Sequence, residues 1–293
     1  MLSDELRRRI SQLNRGQLRS PRPARPEESH EARLPFPSPE TWPQKYPSRA
    51  VQLEASVPGR VVPSSPSQFY EIEKRLTDFH HTAELFIDRF GFRFNRGHTP
   101  AILDTVRAEL LQHDPARWLF LDIECCGLSN SPIFLVGLMT YSGNDFRLWQ
   151  LLARDYSEEA AMLSHMNRML ADYSALVTFN GKTFDLPFLL DRCSIHGIAL
   201  RELEYHFDVL HAARKQWGRA VPNCKLQTLE RFLCKRVRSG DIPGEQIPDA
   251  YHEFVRTQDA WRMVDILHHN ALDLITMCEL TLDLFEEDDT AFL

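Results

Sequence analysis

The middle of the chain alternates between short apolar runs of strand length and longer amphipathic stretches of helix length. Three apolar runs come first, WLFLDIE (118–124), IFLVGLMTYS (133–142) and FRLWQLLA (146–153), and the last two are separated by the turn signal Gly143-Asn144. Because short turns join these runs, they predict an antiparallel meander of three strands.

Helical periodicity sets in after the meander. SEEAAMLSHMNRMLADY predicts a helix with Ser157 as its N-cap, ALVTFNG predicts a buried strand, and KTFDLPFLLDRCSIHG predicts a second helix. Two further helices are expected after Asp208, residues 239–251 are predicted to be a loop, and 261–285 a long helix. A meander followed by strands that alternate with helices predicts an α/β fold, a mixed sheet with antiparallel and parallel strands and helices on its faces.

The N-terminal third has a different composition. Residues 21–66 hold 11 of the chain's 18 prolines, and a Pro-rich segment buries too little apolar surface to offset the entropy of ordering. We therefore predict four regions: a largely disordered arm at 1–66 with a short amphipathic helix within 1–16, an extension packing on the core at 67–115, the main domain at 116–286, and an acidic tail at 287–293.

Composition excludes several classes of protein. No run of 18 apolar residues exists and the first residues lack an apolar stretch, so no membrane association is expected and the predicted location is cytoplasmic. The six cysteines form no C-x-x-C pair, and the adjacent Cys125 and Cys126 point to opposite sides of a strand, so a zinc site is not expected. No G-x-x-x-x-G-K-[ST] loop is present, which excludes a nucleotide triphosphate as the expected ligand.

Acidic residues at the ends of the predicted elements are the main candidates for chemistry. Asp122 and Glu124 are two apart on a strand and so project from one face, where their oxygens suit Mg²⁺ or Mn²⁺. Asp185 begins a predicted helix, and Asp273 lies on the last helix, four residues after His269. Singly, each acid has an ordinary alternative: a strand end, a helix cap for Asp185, or an ion pair for Asp273. Together the four are enough carboxylates for a pair of metal ions.

A basic segment stands out in a chain whose net charge is −7. Between Arg214 and Arg238 there are eight Lys and Arg residues and one acid, Glu230, with Trp217 and Phe232 among them. A solvated helix face is the plain interpretation, and attraction of a polyanion is the other. The candidate contacts to nucleic acid are Lys182, Arg214, Lys215, Trp217, Lys225, Lys235, Arg236 and Arg238.

Three motifs occur in an order that carries a family resemblance: D-I-E, N-G-K-T-F-D-L-P-F-L and H-N-A-L-D. They resemble the three motifs of the DEDD (DnaQ-like) superfamily of ribonuclease-H-like 3′-5′ exonucleases. More narrowly, residues 119–284 look like the YprB-like ribonuclease-H-like domain, which also has IFLVGL, FDVLHAARKQW and the D-I-P-G loop in this order. The resemblance covers somewhat more than half of the chain.

The resemblance implies a ribonuclease-H-like fold and a two-metal phosphodiesterase. Asp122, Glu124, Asp185 and Asp273 would hold two divalent cations, Mg²⁺ or Mn²⁺, and His269 would be the general base, with His268 as the alternative base. The implied substrate is single-stranded or 3′-ended DNA or RNA, cleaved to nucleoside monophosphates. Members usually carry Thr after the glutamate, where this chain has Cys125.

Two other functions remain open from the sequence. One is a nucleic-acid-binding module with the same fold and no turnover, and the other is a structure-specific endonuclease. The protein partner of the N-terminal arm is unknown.

Overall fold

A single seven-stranded mixed sheet forms the centre of the protein. The computed structural model describes residues 51–80, 82–95, 104–127, 130–238 and 240–286. Within them the strand order is β1-β2-β5-β4-β3-β6-β7. The strands are β1 Arg60–Ser64, β2 Ser67–Arg75, β3 Trp118–Cys125, β4 Ile133–Tyr141, β5 Phe146–Leu152, β6 Ala175–Thr178 and β7 Tyr205–Asp208.

The meander and the parallel strands confirm the predicted fold class. β4 pairs antiparallel with both β3 and β5, whereas β6 runs parallel to β3 and β7 parallel to β6. Every residue of β4 is buried, as expected for a central strand covered on both faces.

Helices cover the two faces of the sheet. They are α1 Leu53–Ser56, α2 Leu76–Phe79, α3 Ala83–Asn95, α4 Thr105–Leu110, α5 Glu159–Met169, α6 Asp185–Ile195, α7 Val209–Trp217, α8 Leu226–Phe232, α9 Ile247–Thr257 and α10 Trp261–Glu286. Alternate residues of β3 serve the two layers: Phe120 packs in one core with residues of α10, and Leu121 in another with residues of α5 and α6. No helix in these described ranges is both long and apolar enough to cross a bilayer.

The predicted N-terminal boundaries differ from the structure where they are described. Residues 51–66 were assigned to a disordered arm, but Leu53–Ser56 are helical and Arg60–Ser64 pair with β2. This segment is ordered because its backbone is bonded to the body, for example through Tyr70, whose hydroxyl donates to the carbonyl of Val57 at 2.8 Å. The boundary at residue 116 also divides one sheet, since β2 pairs with β5. Residues 1–50, with the predicted first helix, and the tail 287–293 lie outside the described residues.

Two local predictions are also corrected. Ser157 is not the cap: the side chain of Asp155 accepts the N–H of Ser157 at 2.8 Å and caps a short 3-10 turn that precedes α5. The predicted loop at 239–251 becomes helical from Ile247, because Ile247, Ala250, Tyr251 and Phe254 form the buried side of α9.

Candidate active site

The buried side-chain amide of Asn270 on the long helix α10 contacts Asp122 on strand β3. Asn270 is fully buried, and its Nδ2 donates to Asp122 Oδ2 at 2.9 Å and to the Asp122 carbonyl at 3.4 Å. Gln150 of β5 in turn donates to Asn270 Oδ1 at 3.0 Å. The position of the Asp122 carboxylate is therefore set by a chain of side chains from three elements.

A glycine in β4 makes this approach possible. Gly137 pairs directly with Asp122, and a Cβ built on Gly137 would lie 2.3 Å from Asn270 Oδ1. Such a distance is impossible for non-bonded atoms. The absence of a side chain at position 137 is thus a requirement for the contact between Asn270 and Asp122.

Asp185 reaches the same strand from the start of α6. β6 pairs with β3 only as far as Phe120, so the backbone N–H of Ile123 lies beyond that pairing and donates to Asp185 Oδ1 at 3.3 Å. The turn before α6 is held by Asp208, whose carboxylate accepts the N–H of Asn180 at 2.9 Å and of Lys182 at 3.1 Å. Asp208 therefore has a structural role, and it directs the chain so that Asp185 meets β3.

His269 and Asp273 lie one turn apart on α10 and face each other. His269 Nε2 is 3.5 Å from Asp273 Oδ2, and His269 Nδ1 is 2.8 Å from Asp241 Oδ1. Arg238 donates to the other oxygen of Asp273, Oδ1, at 2.5 Å. Asp273 and His269 are therefore held by two residues from the segment between α8 and α9.

The four predicted carboxylates interact electrostatically. Burial raises the pKa of Asp122 well above its ordinary value, and repulsion by Asp273, Glu124 and Asp185 raises it further. Burial, with Asp273 and Asp185 adding, raises the pKa of Glu124 to about 8 against the lowering effect of His269. Burial also raises the pKa of Asp185 to about 7. The structure thus brings Asp122, Glu124, Asp185 and Asp273 together from a strand and two helices.

The donor set of this site fits a divalent cation. All four donors are carboxylates, the ligands preferred by Mg²⁺ and Mn²⁺, and the described ion pairs include Asp273 but none of Asp122, Glu124 and Asp185. Within the described part of the chain, no three His, Cys, Asp or Glu side chains already surround a common point at ligand distance. Binding would therefore need the side chains to change conformation, and it would supply the missing positive charge.

The two adjacent histidines differ in environment. Burial lowers the pKa of His268 to about 4. Burial also acts to lower the pKa of His269, but the hydrogen bond to Asp241 and the charges of Asp273 and Glu124 outweigh it, so the net shift is upward. Of the two, His269 is the one whose ring lies beside Asp273.

The basic segment is only partly a surface. Trp217 is buried in the core and is not available to stack a base, contrary to prediction. Arg236 and Arg238 are also buried: Arg236 pairs with Glu230 at 3.1 Å and with Glu279, and Arg238 pairs with Glu230 at 2.6 Å. Counting charges could not reveal these pairs, because the count does not show that the single acid of the segment, Glu230, is buried between two arginines, and Glu279 lies outside the segment. The predicted nucleic-acid contacts at Trp217, Arg236 and Arg238 are withdrawn.

The remaining basic candidates lie at the surface. Lys182, Arg214, Lys215, Lys225 and Lys235 are exposed. Lys215 forms an ion pair with Asp104 at 2.8 Å, and the carboxylate partly neutralises the charge of the lysine. Phe232 is 41% exposed and is the aromatic residue of this segment that solvent reaches.

Three residues of the site were missed or misread in the sequence. Asn270 lies inside the H-N-A-L-D motif without an assigned role, and it donates to both the backbone carbonyl and the carboxylate of Asp122. Asp241 is the first residue of the D-I-P-G loop, which was noted without a role. Gln150 has no motif, but a glutamine in the apolar run FRLWQLL is an available signal, since a buried amide needs a partner.

The cysteines Cys125 and Cys126, next to Glu124, form no disulfide bond. All six are free thiols, and Cys125 Sγ lies 3.1 Å from the carbonyl of Gly127. Burial raises the pKa of the Cys126 thiol to about 12. A buried protonated thiol is a poor metal ligand, which agrees with the choice of the acids over the cysteines.

The chain is similar to a protein family, to a bacterial protein and to a solved polymerase structure. Residues 119–284 match the family model described as RNase_H superfamily. The chain is 32% identical over 167 residues to the uncharacterized protein YprB of Bacillus subtilis, a match that covers 55% of this chain and 40% of YprB. The family B DNA polymerase of Pyrobaculum calidifontis superposes on 58% of this chain and 24% of its own, with a TM-score of 0.48 and 17% identity.

The extent of these matches decides what they show. The chain spans less than half the length of YprB, so nothing about the whole of that protein transfers to it. The family match covers more than half of the chain and includes Asp122, Glu124, Asp185 and Asp273. The chain therefore belongs to the RNase_H superfamily.

Proposed function

We propose that this protein is a metal-dependent 3′-5′ exonuclease of the DEDD type that hydrolyses phosphodiester bonds of DNA or RNA. The observation that carries the proposal is the convergence of Asp122, Glu124, Asp185 and Asp273 with His269 beside them. Separate elements deliver these side chains, and Asn270, Asp241 and Arg238 hold them. A cluster of buried acids that has so little positive charge is costly unless it binds a cation or a proton.

The roles of the residues follow from their positions. Asp122, Glu124, Asp185 and Asp273 would hold two Mg²⁺ or Mn²⁺ ions, which supply Lewis acidity toward the scissile phosphate when bound. Because an ionised carboxylate can only accept, His269 Nδ1 carries the proton in its contact with Asp241, and Nε2 is the atom that would accept a proton from the attacking water. The charge of Asp241 stabilises the imidazolium that results. The leaving group is the shortened strand, and the product is a nucleoside monophosphate.

One assay tests the activity and its polarity. Single-stranded and duplex DNA and RNA, labelled at the 5′ end, are incubated with Mn²⁺ or Mg²⁺ and, separately, with EDTA. We expect a ladder of 5′-labelled products that shortens with time, and no cleavage in EDTA. Immediate release of the label as a mononucleotide would contradict the polarity.

Two further outcomes identify the competing functions. Cutting of a closed circular single strand would indicate an endonuclease. Binding without cleavage under all ionic conditions would indicate a binding module, a possibility favoured by one observation, the occupation of Asp273 Oδ1 by Arg238.

Metal removal should make the stability of the protein depend on pH. The pKa of Glu124 rises from 4.5 to about 8 and that of Asp185 from 3.8 to about 7, so the folded chain binds more protons than the unfolded chain between these values. The free energy of unfolding should therefore fall as pH rises from about 4 to about 8. A divalent cation, which binds the ionised carboxylates, should restore it.

Thermal melts check this prediction. In EDTA we expect a lower Tm at about pH 8 than at about pH 5.5, and with Mn²⁺ a rise in Tm that is larger at the higher pH. The variant Asp122→Asn removes one buried charge, so its Tm should depend less on pH and on Mn²⁺ than that of the wild type. A Tm at about pH 8 that does not respond to Mn²⁺ would contradict the cation site.

The exposed part of the basic segment is proposed to bind the substrate. Because each phosphate contact contributes about 0.7 to the slope of log K against log salt for a single strand, the double variant Lys225→Ala/Lys235→Ala should lower the slope by about 1.4. Fluorescence anisotropy with a labelled single strand, recorded in EDTA at several salt concentrations, measures this slope without turnover.

The control removes the same charge elsewhere. Arg75 on β2 and Arg147 on β5 are exposed and lie toward the end of the sheet opposite β7. Arg75→Ala/Arg147→Ala should leave the slope unchanged. Equal slopes for both double variants would place the nucleic acid elsewhere on the protein.

A further inference from the structure

Four side chains of the candidate site form a closed ring of polar contacts. Arg238 Nη1 lies 3.2 Å from Asp241 Oδ2, and Asp241 Oδ1 lies 2.8 Å from His269 Nδ1. His269 Nε2 lies 3.5 Å from Asp273 Oδ2, and Asp273 Oδ1 accepts from Arg238 Nη2 at 2.5 Å. Each member therefore contacts its two neighbours in the ring through two different atoms.

The ring is anchored in the interior. The remaining nitrogen of the guanidinium, Nε, donates to Glu230 Oε2 at 2.6 Å, and the side chains of Arg238 and Glu230 are only 6% and 1% exposed. A buried charge is tolerated only with well-made partners, and the rigid fork of arginine can serve three carboxylates at once. Arg238 is thus fixed by α8, by its own loop and by α10, and its loss would leave Glu230 with Arg236 as its remaining ion-pair partner.

Asp273 and His269 each keep one polar atom that neither Arg238 nor Asp241 contacts. Arg238 uses only Oδ1 of Asp273, so Oδ2 remains, and Asp241 uses only Nδ1 of His269, so Nε2 remains. These two remaining atoms face each other at 3.5 Å. A carboxylate that accepts a hydrogen bond on one oxygen can still bind a cation with the other, and such support orients ligands in metal sites.

We propose that Arg238 and Asp241 are positioning residues: Arg238 orients Asp273 for cation binding, and Asp241 orients His269 for proton transfer. This inference rests on the proposed nuclease function. It assigns a role to the D-I-P-G loop, which starts at Asp241, and it gives Arg238 a place in the active site instead of a contact with nucleic acid.

The two variants Arg238→Gln and Asp241→Asn test the two halves separately. Arg238→Gln should weaken Mn²⁺ binding about 10- to 100-fold, measured by electron paramagnetic resonance on the protein without nucleic acid. Asp241→Asn should keep the Mn²⁺ affinity and the KM near those of the wild type and lower kcat at least about tenfold, because the tautomer of His269 is no longer set by a charged acceptor.

The matched control is Arg236→Gln. Arg236 pairs with the same buried Glu230 at 3.1 Å but contacts no member of the ring, so its loss costs stability without moving Asp273. Its Mn²⁺ affinity should equal that of the wild type. An equal loss in Arg236→Gln and Arg238→Gln would overturn the positioning role, and so would unchanged or tighter Mn²⁺ binding in Arg238→Gln. If Arg238→Gln does not fold, an unchanged kcat in Asp241→Asn overturns the proposal.

Failure of the proposed function has a different signature. A wild-type protein that neither binds Mn²⁺ nor cleaves any strand would contradict the nuclease itself. If the wild-type protein binds Mn²⁺ and cleaves a strand, and Arg238→Gln and Asp241→Asn behave like the wild type, only the positioning roles are contradicted.

Discussion

Replacing Asp122 by Asn is expected to lower the rate of strand cleavage about a thousandfold without unfolding the protein. A metal ion contributes several kcal/mol of transition-state stabilisation, which corresponds to about three decades in rate, and Asp122 is one of the four proposed metal ligands. Asn keeps the size of the side chain but loses the charge. The initial rate on a 5′-labelled single strand, measured at saturating Mn²⁺, gives the effect.

Folding is not expected to suffer from this change. Repulsion and burial raise the pKa of Asp122, so its charge costs stability, and a melt of Asp122→Asn in EDTA should show a Tm no lower than the wild type. The control is Asp172→Asn, an exposed acid before the N-terminal end of β6, which should keep full activity. More than about a tenth of the wild-type rate in Asp122→Asn would refute its role as a metal ligand.

Gly137→Ala is expected to damage both stability and activity, although position 137 has no side chain to contribute. The new Cβ would lie 2.3 Å from Asn270 Oδ1 and 2.7 Å from Asn270 Cγ, so either the amide or the strand must move. Overpacking of this kind costs about 1–3 kcal/mol. Displacement of Asn270 would also remove its bond to Asp122, for which we expect a 10- to 100-fold loss of activity.

Urea unfolding and the cleavage assay measure the two effects of Gly137→Ala. Gly244→Ala is the matched control, because a Cβ on Gly244 would meet no atom within 4 Å. We expect Gly244→Ala to change the free energy of unfolding by no more than about 0.5 kcal/mol and to leave activity unchanged. If both variants behave like the wild type, the close approach of α10 to β4 is not required for the site.

Some of the site was accessible from the sequence because it depends on short-range geometry. Asp122 and Glu124 share a face because side chains alternate along a strand, and His269 and Asp273 share a face because four residues make about one turn of a helix. The meander was predictable for the same reason: its strands are short, apolar and joined by recognisable turns. Each of these inferences uses residues within one element or one turn.

Other parts depended on partners distant in sequence. Arg238 was counted as a surface charge, yet Glu230, Asp241 and Asp273 surround it, and Asp273 is 35 residues away. Trp217 was interpreted as a base-stacking residue, but its spacing on α7 equally fits a core position, which it occupies. Asn270 lies inside the H-N-A-L-D motif, but the motif does not reveal its role, because that role requires Gly137 in a strand more than a hundred residues earlier.

The sequence by itself determined the meander, the helices and strand that follow it, the long last helix and the set of acids at the ends of these elements, because periods of two and 3.6 residues are local properties. It did not predict β1 or α9. Tertiary structure decided which charges are buried and with whom. It brought Asp122, Asp185 and Asp273 together, turned Arg238 and Asp241 toward Asp273 and His269, and left Lys225 and Lys235 exposed. The physical reason is that a charged side chain takes its environment from elements packed against it, and packing depends on contacts between distant parts of the chain.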